Sequence, residues 1–87
     1  MAMQKAKKTP KKKDPEIYLK QLGERLKELR IKSGYTNYEY FAYENNLGRS
    51  QYGKYETGGN IRFDTLVKII QIHGLTLEEF FSEGFED

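Results

Sequence analysis

The segment YEYFAYENNLGRSQYGKYETG, residues 38–58, contains the pattern from which we predict the fold. A helix is predicted to begin just before it, at Thr36 or Asn37, because each is a favoured N-cap residue. This helix ends at residues 45–46, and another helix is predicted over about residues 49–56. Two short helices joined by a turn of three or four residues form a helix-turn-helix.

The second of these helices is predicted to have two unlike faces. Tyr52 and Tyr55, three residues apart, are expected to pack inward, and the small Ala42 allows the two helices to cross closely. In the major groove of DNA, Arg and Gln form bidentate hydrogen bonds to guanine and adenine, and Ser meets either base. One helix of any small bundle also presents a polar face to solvent, so this pattern alone leaves both interpretations open. The polar residues are Arg49, Ser50, Gln51 and Lys54.

Three further helices complete a predicted five-helix, all-α domain over residues 14–87. The first begins at Asp14–Pro15, an N-cap residue followed by a proline, and Gly34 closes it. The fourth is predicted over residues 63–72, and a short fifth helix begins with a capping box at Thr76. No alternating pattern of apolar and polar residues predicts a strand.

The composition excludes several classes of function. The chain has 87 residues with no Cys and one His, so disulfides, thiolate metal sites and His-rich zinc sites are excluded. No apolar run approaches the ~18 residues of a membrane span. No apolar segment follows the charged N-terminus, as a secretory signal would require. We therefore expect a small cytoplasmic domain that uses no cofactor and is not an enzyme.

The charges are distributed unevenly along the chain. Residues 1–13 contain six Lys and no acidic residue, whereas residues 14–87 contain nine basic and all 13 acidic residues, a net charge of −4. With no aromatic or branched aliphatic residue, residues 1–13 are predicted to form a disordered basic arm. Such arms commonly bind nucleic-acid phosphates, and a solubilising tail or a membrane-binding segment are the alternatives. The arm lysines are Lys5, Lys7, Lys8, Lys11, Lys12 and Lys13.

From residue 22 to residue 81 the chain resembles the phage repressor/Cro-type (XRE) helix-turn-helix family. The matching pieces are LGERLKELR at 22–30, Gly34, FA at 41–42, YETG at 55–58 and LVKIIQIHGLTLEEFF at 66–81. The resemblance implies a sequence-specific regulator of transcription that binds double-stranded DNA. We expect a repressor from a Bacteroidetes-like bacterium, associated with the nucleoid.

The resemblance also implies roles for single residues. The polar face of the third predicted helix matches the base-reading positions of the family. Asn37 and Tyr38 match the start of the preceding helix, which contacts a DNA phosphate. Arg30 and Glu56 match a pair that bridges the first helix to the end of the third, although Arg30 could instead be one more solvated arginine.

Three departures from the family pattern bear on these roles. Tyr38 stands where the family commonly has Gln, and Gly48 and Gly53 replace polar residues. The two glycines either permit a close approach of the backbone to DNA or only weaken the helix. The interval from Gly34 to Ala42 is one residue longer than usual.

The C-terminal end is acidic and rich in Phe, which favours contact with another protein chain. An exposed aromatic patch usually marks an interface, and the resemblance implies a homodimer through this end. Two alternatives keep the fold: an antitoxin whose segment EEFFSEGFED covers a basic toxin, or a domain used only for protein contacts. The residues of the expected interface are Leu77, Phe80, Phe81 and Phe85.

Overall fold

A computed structural model describes residues 14–86 of the chain. The predicted all-α class and the helix-turn-helix are confirmed, and the described residues contain no strand. The predicted arm, residues 1–13, and its six lysines lie outside the described residues. The helices are α1 (Pro15–Lys32), α2 (Tyr38–Glu44), α3 (Arg49–Glu56), α4 (Phe63–Ile72) and α5 (Leu77–Phe81).

The core is built from apolar side chains of all five helices. Ala42 of α2 is fully buried, and the rings of Phe41 and Tyr52 bring α2 against α3 with 5.2 Å between their centroids. Because Tyr52 is fully buried, one side of α3 is fixed against the core. The buried apolar residues are Leu22, Leu26, Phe41, Ala42, Tyr52, Leu66, Ile69, Ile70 and Phe80.

Local hydrogen bonds set the beginnings of the helices. Asn37, rather than Thr36, is the N-cap of α2, because its Oδ1 accepts from the backbone N–H of Glu39 at 2.7 Å and of Tyr40 at 3.1 Å. Thr76 caps α5 in a complete capping box. Asp14 occupies the N-cap position of α1 as predicted, but its carboxylate makes no capping hydrogen bond.

A buried arginine that the sequence analysis did not identify holds α5 against α1. Arg25 Nε donates to the backbone oxygen of Phe80 at 2.7 Å, and Nη2 donates to that of Glu79 at 3.1 Å. The guanidinium carbon lies 5.4 Å from the centroid of the Phe80 ring. Arg25 thus satisfies two carbonyl groups at the end of α5, where a helix has no partners of its own.

The predicted C-terminal interface needs one correction. Phe80 is fully buried beneath Arg25, so it cannot belong to an exposed aromatic face. Leu77 and Phe81 are each 42% exposed, and Phe85 is half-buried with its ring 5.0 Å from that of Phe81. None of the described helices is long and apolar enough to cross a membrane.

Candidate nucleic-acid interface

Helix α3 is packed against the backbone of α1 at a glycine. A Cβ atom placed on Gly23 would lie 2.6 Å from the carbonyl oxygens of both Tyr55 and Glu56, closer than the non-bonded contacts of real Cβ atoms. Only glycine therefore allows this contact, which fixes the distance between the middle of α1 and the last turn of α3.

An ion pair between α1 and α3 lies beside this contact. Arg30 donates from Nε and Nη2 to the two carboxylate oxygens of Glu56, each at 2.9 Å, and from Nη1 to the backbone oxygen of Tyr35 at 2.8 Å. The two side chains are only 5% and 6% exposed. The hydrogen bonds that Arg30 donates to the Glu56 carboxylate raise the pKa of Arg30 above its ordinary value. Such a bidentate pair holds the last turn of α3 in a defined orientation.

We call the face of α3 formed by Tyr52 and Glu56 the anchored side. Burial, with a further contribution from the Glu56 carboxylate, raises the pKa of Tyr52, so its phenol stays neutral. Every polar group of this side that touches α1 is enclosed by protein, which makes the anchored side unsuitable for contact with an external ligand.

The opposite face, which we call the open side, lines a groove of about 770 Å³ between α2 and α3. No hydrogen bond or ion pair within residues 14–86 engages the side chains of Arg49, Ser50, Gln51 or Lys54. The structure brings three of these four together along the groove, whereas Gln51 is exposed and does not line it. The residues lining the groove are Tyr38, Glu39, Arg49, Ser50, Gly53, Lys54 and Thr57.

The structure explains why residue 53 is glycine, and the explanation differs from both alternatives drawn from the sequence. A Cβ atom on Gly53 would lie 2.5 Å from Cε1, 2.8 Å from Cζ and 2.9 Å from the hydroxyl oxygen of Tyr38. The ring of Tyr38 therefore covers the middle of α3 on the open side. The spacing of the two residues in sequence gives no signal of this contact, because it depends on the angle between α2 and α3.

Two lysines of α1 lie beside the end of α3 and were also missed. Lys20 and Lys27 line a groove of about 290 Å³ that also contains two carboxylates, those of Glu24 and Glu56. Lys20 also lies close to Gly58, whose φ of +103° forms the turn after the helix. The seven-residue spacing of the two lysines on one helix face is a signal that could have found them.

The start of α2 flanks the open side. Asn37 lies there with its side-chain oxygen engaged in capping, and it lines a shallow second groove with Tyr40, Tyr43 and Arg49. Tyr43 in this second groove is 67% exposed. The structure thus places Asn37, Tyr38 and Arg49 at one end of the open side.

The geometry of a helix-turn-helix with an open polar face agrees with the comparison with known protein families. The helix-turn-helix family model HTH_3 matches residues 26–80, almost two thirds of the chain. The chain belongs to this family. This match confirms the predicted XRE-type family. HTH_3 proteins are DNA-binding regulators of transcription and are generally not enzymes. Comparisons with curated proteins and with solved structures gave no match.

Proposed function

We propose that this HTH_3 protein is a sequence-specific repressor that reads the major groove of double-stranded DNA with α3. The observation that carries the proposal is the contrast between the two faces of this helix. On the anchored side, Tyr52 is buried in the core and Glu56 is paired with Arg30 of α1, while the polar side chains of the open side have no partner within residues 14–86. A helix presented in this way is suited to enter a groove about 12 Å wide.

The open side offers the chemistry for base recognition. Arg49 is suited to the O6 and N7 atoms of guanine, Gln51 to the N6 and N7 atoms of adenine, and Ser50 to either base. Lys54 adds a donor one turn further along the helix. The first two turns of a recognition helix supply most base contacts, and these residues occupy that part of α3.

Contacts to phosphates would fix the position of the protein on DNA. Asn37, at the start of α2, is suited to the phosphate backbone, since a helix N-terminus favours anions. We extend this role to Lys20 and Lys27, which flank the end of α3. The six lysines of residues 1–13 would add affinity that does not depend on sequence.

A homodimer would read a two-fold symmetric site. Leu77, Phe81 and Phe85 form the remaining apolar face at the C-terminal end, and Phe80 is not part of it. The two recognition helices of such a dimer would contact half-sites about one turn of DNA apart. We expect it to act at the bacterial nucleoid.

The test of the proposed function is selection of bound sites from a random duplex library at physiological salt. We expect the full chain to enrich one motif with two-fold symmetry. Weak, salt-sensitive binding without an enriched motif would contradict sequence-specific recognition by α3. Subsequent transcription from a promoter carrying the motif should fall when the protein is added, and a rise would refute repression.

The contribution of the lysines in residues 1–13 can be measured separately. Replacing all six by Gln keeps the length of the chain and removes the charge. We expect the dependence of binding on salt to weaken, by up to about five in the slope of log K against log salt, because each phosphate contact contributes about 0.9. An unchanged slope would show that these lysines do not contact DNA.

A further inference from the structure

The open side of α3 lacks a side chain at its centre. Residue 53 lies in the middle of α3, and Arg49, Ser50 and Thr57 are its neighbours at spacings of three and four residues, which places them on one helix face. Because residue 53 is glycine, α3 itself presents no group to a ligand at this point of the groove.

The phenol of Tyr38 occupies the position that a side chain on residue 53 would take. The ideal Cβ position of Gly53 lies within 2.9 Å of three atoms of Tyr38, including the hydroxyl oxygen. The ring of Tyr38 also lies near the core, since its centroid is 6.5 Å from that of the fully buried Tyr52. Tyr38 thus lies close to two residues of α3, Tyr52 and Gly53.

The hydroxyl of Tyr38 has no hydrogen-bond partner among residues 14–86, and the residue as a whole is 37% exposed to solvent. It lines the same groove as Arg49, Ser50 and Lys54, to which we have assigned base recognition. A phenolic hydroxyl both donates and accepts a hydrogen bond, so it can meet either kind of group on a base edge.

We infer that Tyr38 is a specificity-determining residue, whose hydroxyl reads a base edge in place of a side chain on residue 53. This inference rests on the proposed function and replaces the phosphate contact that the family resemblance implies for this position. The residue belongs to α2, so recognition would draw on both helices of the helix-turn-helix.

The test is Tyr38→Phe, which removes the hydroxyl and keeps the ring that packs on Gly53. Affinities of the wild type and the variant are measured for the selected site and for a set in which each base pair is replaced in turn. We expect the variant to lose about 2- to 10-fold in discrimination at one base-pair position, as expected for one hydrogen bond, with the other positions unchanged.

Two outcomes would overturn the inference. An equal loss of affinity for every sequence would mean that the hydroxyl binds a phosphate, and the dependence on salt would stay unchanged because the substitution removes no charge. No change at any position would mean that Tyr38 acts only by packing. Tyr18→Phe is the matched control, because Tyr18 lines a groove between α1 and α5 rather than the open side.

The outcomes also separate this inference from the proposed function. If the wild type selects no site, sequence-specific recognition itself fails. If the wild type selects a site and Tyr38→Phe discriminates equally well at every position, only the role of Tyr38 is wrong.

Discussion

The two sides of α3 are constructed in opposite ways. On the anchored side, Glu56 accepts two hydrogen bonds from a buried arginine, and Gly23 allows the backbone of α1 to contact that of α3. On the open side, the charged and polar side chains of Arg49, Ser50 and Lys54 have no partner within the described chain. One side can thus determine where the helix lies, and the other what it binds.

This comparison implies that stability and DNA selectivity respond to different substitutions. Changes on the anchored side should lower the free energy of unfolding, because they affect buried charge or close packing. Changes on the open side should leave that free energy nearly unchanged and alter the preference for bases. Gly53 is the exception, because it belongs to the open side and is also covered by Tyr38.

The largest effect is expected for Glu56→Ala. The substitution leaves the charge of Arg30 buried without its partner, which costs about 3–5 kcal/mol. A core of this size supplies a comparable total free energy of unfolding. The variant should therefore be largely unfolded even without urea, as measured by circular dichroism at the start of a urea titration. Glu24→Ala, at an exposed position of α1, is the control and should unfold near the wild type. A stable Glu56→Ala protein would contradict the assigned importance of the ion pair.

A double substitution sharpens this result. Arg30→Met combined with Glu56→Leu removes both charges, and similar replacements elsewhere have been neutral or stabilising. We expect the double variant to recover most of the free energy of unfolding lost in Glu56→Ala. If it is no more stable than the single variant, the loss comes from packing rather than from an unpaired charge.

The next effect in size is expected for Gly23→Ala. The added methyl group would overlap the carbonyl oxygens of Tyr55 and Glu56, and relief requires movement of one helix backbone. We expect a loss of about 1–3 kcal/mol in the free energy of unfolding, as for other overpacked sites. Gly48→Ala is the matched control, because its nearest neighbour, Gln51 Cβ, would lie 3.7 Å away. Equal stability of the two variants would refute the close contact.

A smaller effect on the free energy of unfolding is expected for Gly53→Ala, and its sign should depend on whether Tyr38 is present. Gly53→Ala gains about 0.5–1 kcal/mol of helix stability but displaces the ring of Tyr38, so a net loss of about 1 kcal/mol is expected. In a Tyr38→Ala background the overlap is absent, and the same substitution should stabilise the protein. A loss of equal size in both backgrounds would show that the two residues are not in contact.

The smallest effect on stability is expected for Arg49→Ala. Since Arg49 has no partner within residues 14–86, the free energy of unfolding should change by no more than about 0.5 kcal/mol. Discrimination at one base pair should fall by about 1–3 kcal/mol in competition binding assays. A uniform loss over all sequences would instead assign Arg49 to a phosphate.

The sequence predicts the helices well because their boundaries depend on local signals. The capping box at Thr76 and the glycine at the end of α1 each specify one terminus, and the bounds of α3 and α4 agree with the prediction. The choice between Thr36 and Asn37 stayed open, because both residue types are good caps and only the backbone conformation distinguishes them.

The two buried arginines of α1 show what a sequence conceals. Arg30 pairs with the carboxylate of Glu56, which can be recognised in the sequence by its residue type and by its position in the family pattern. Arg25 binds the backbone oxygens of Glu79 and Phe80, and a carbonyl group is present at every position. Its burial, and with it the burial of Phe80, therefore could not be predicted from residue types.

The Tyr38–Gly53 contact also has a consequence for protein engineering. A recognition helix could be exchanged between related domains by replacing α3 alone. Here a donor helix with any side chain at residue 53 would collide with the tyrosine of the recipient. To transfer the DNA specificity of this protein, residues 38–57, which contain both helices, should therefore be moved together rather than α3 alone.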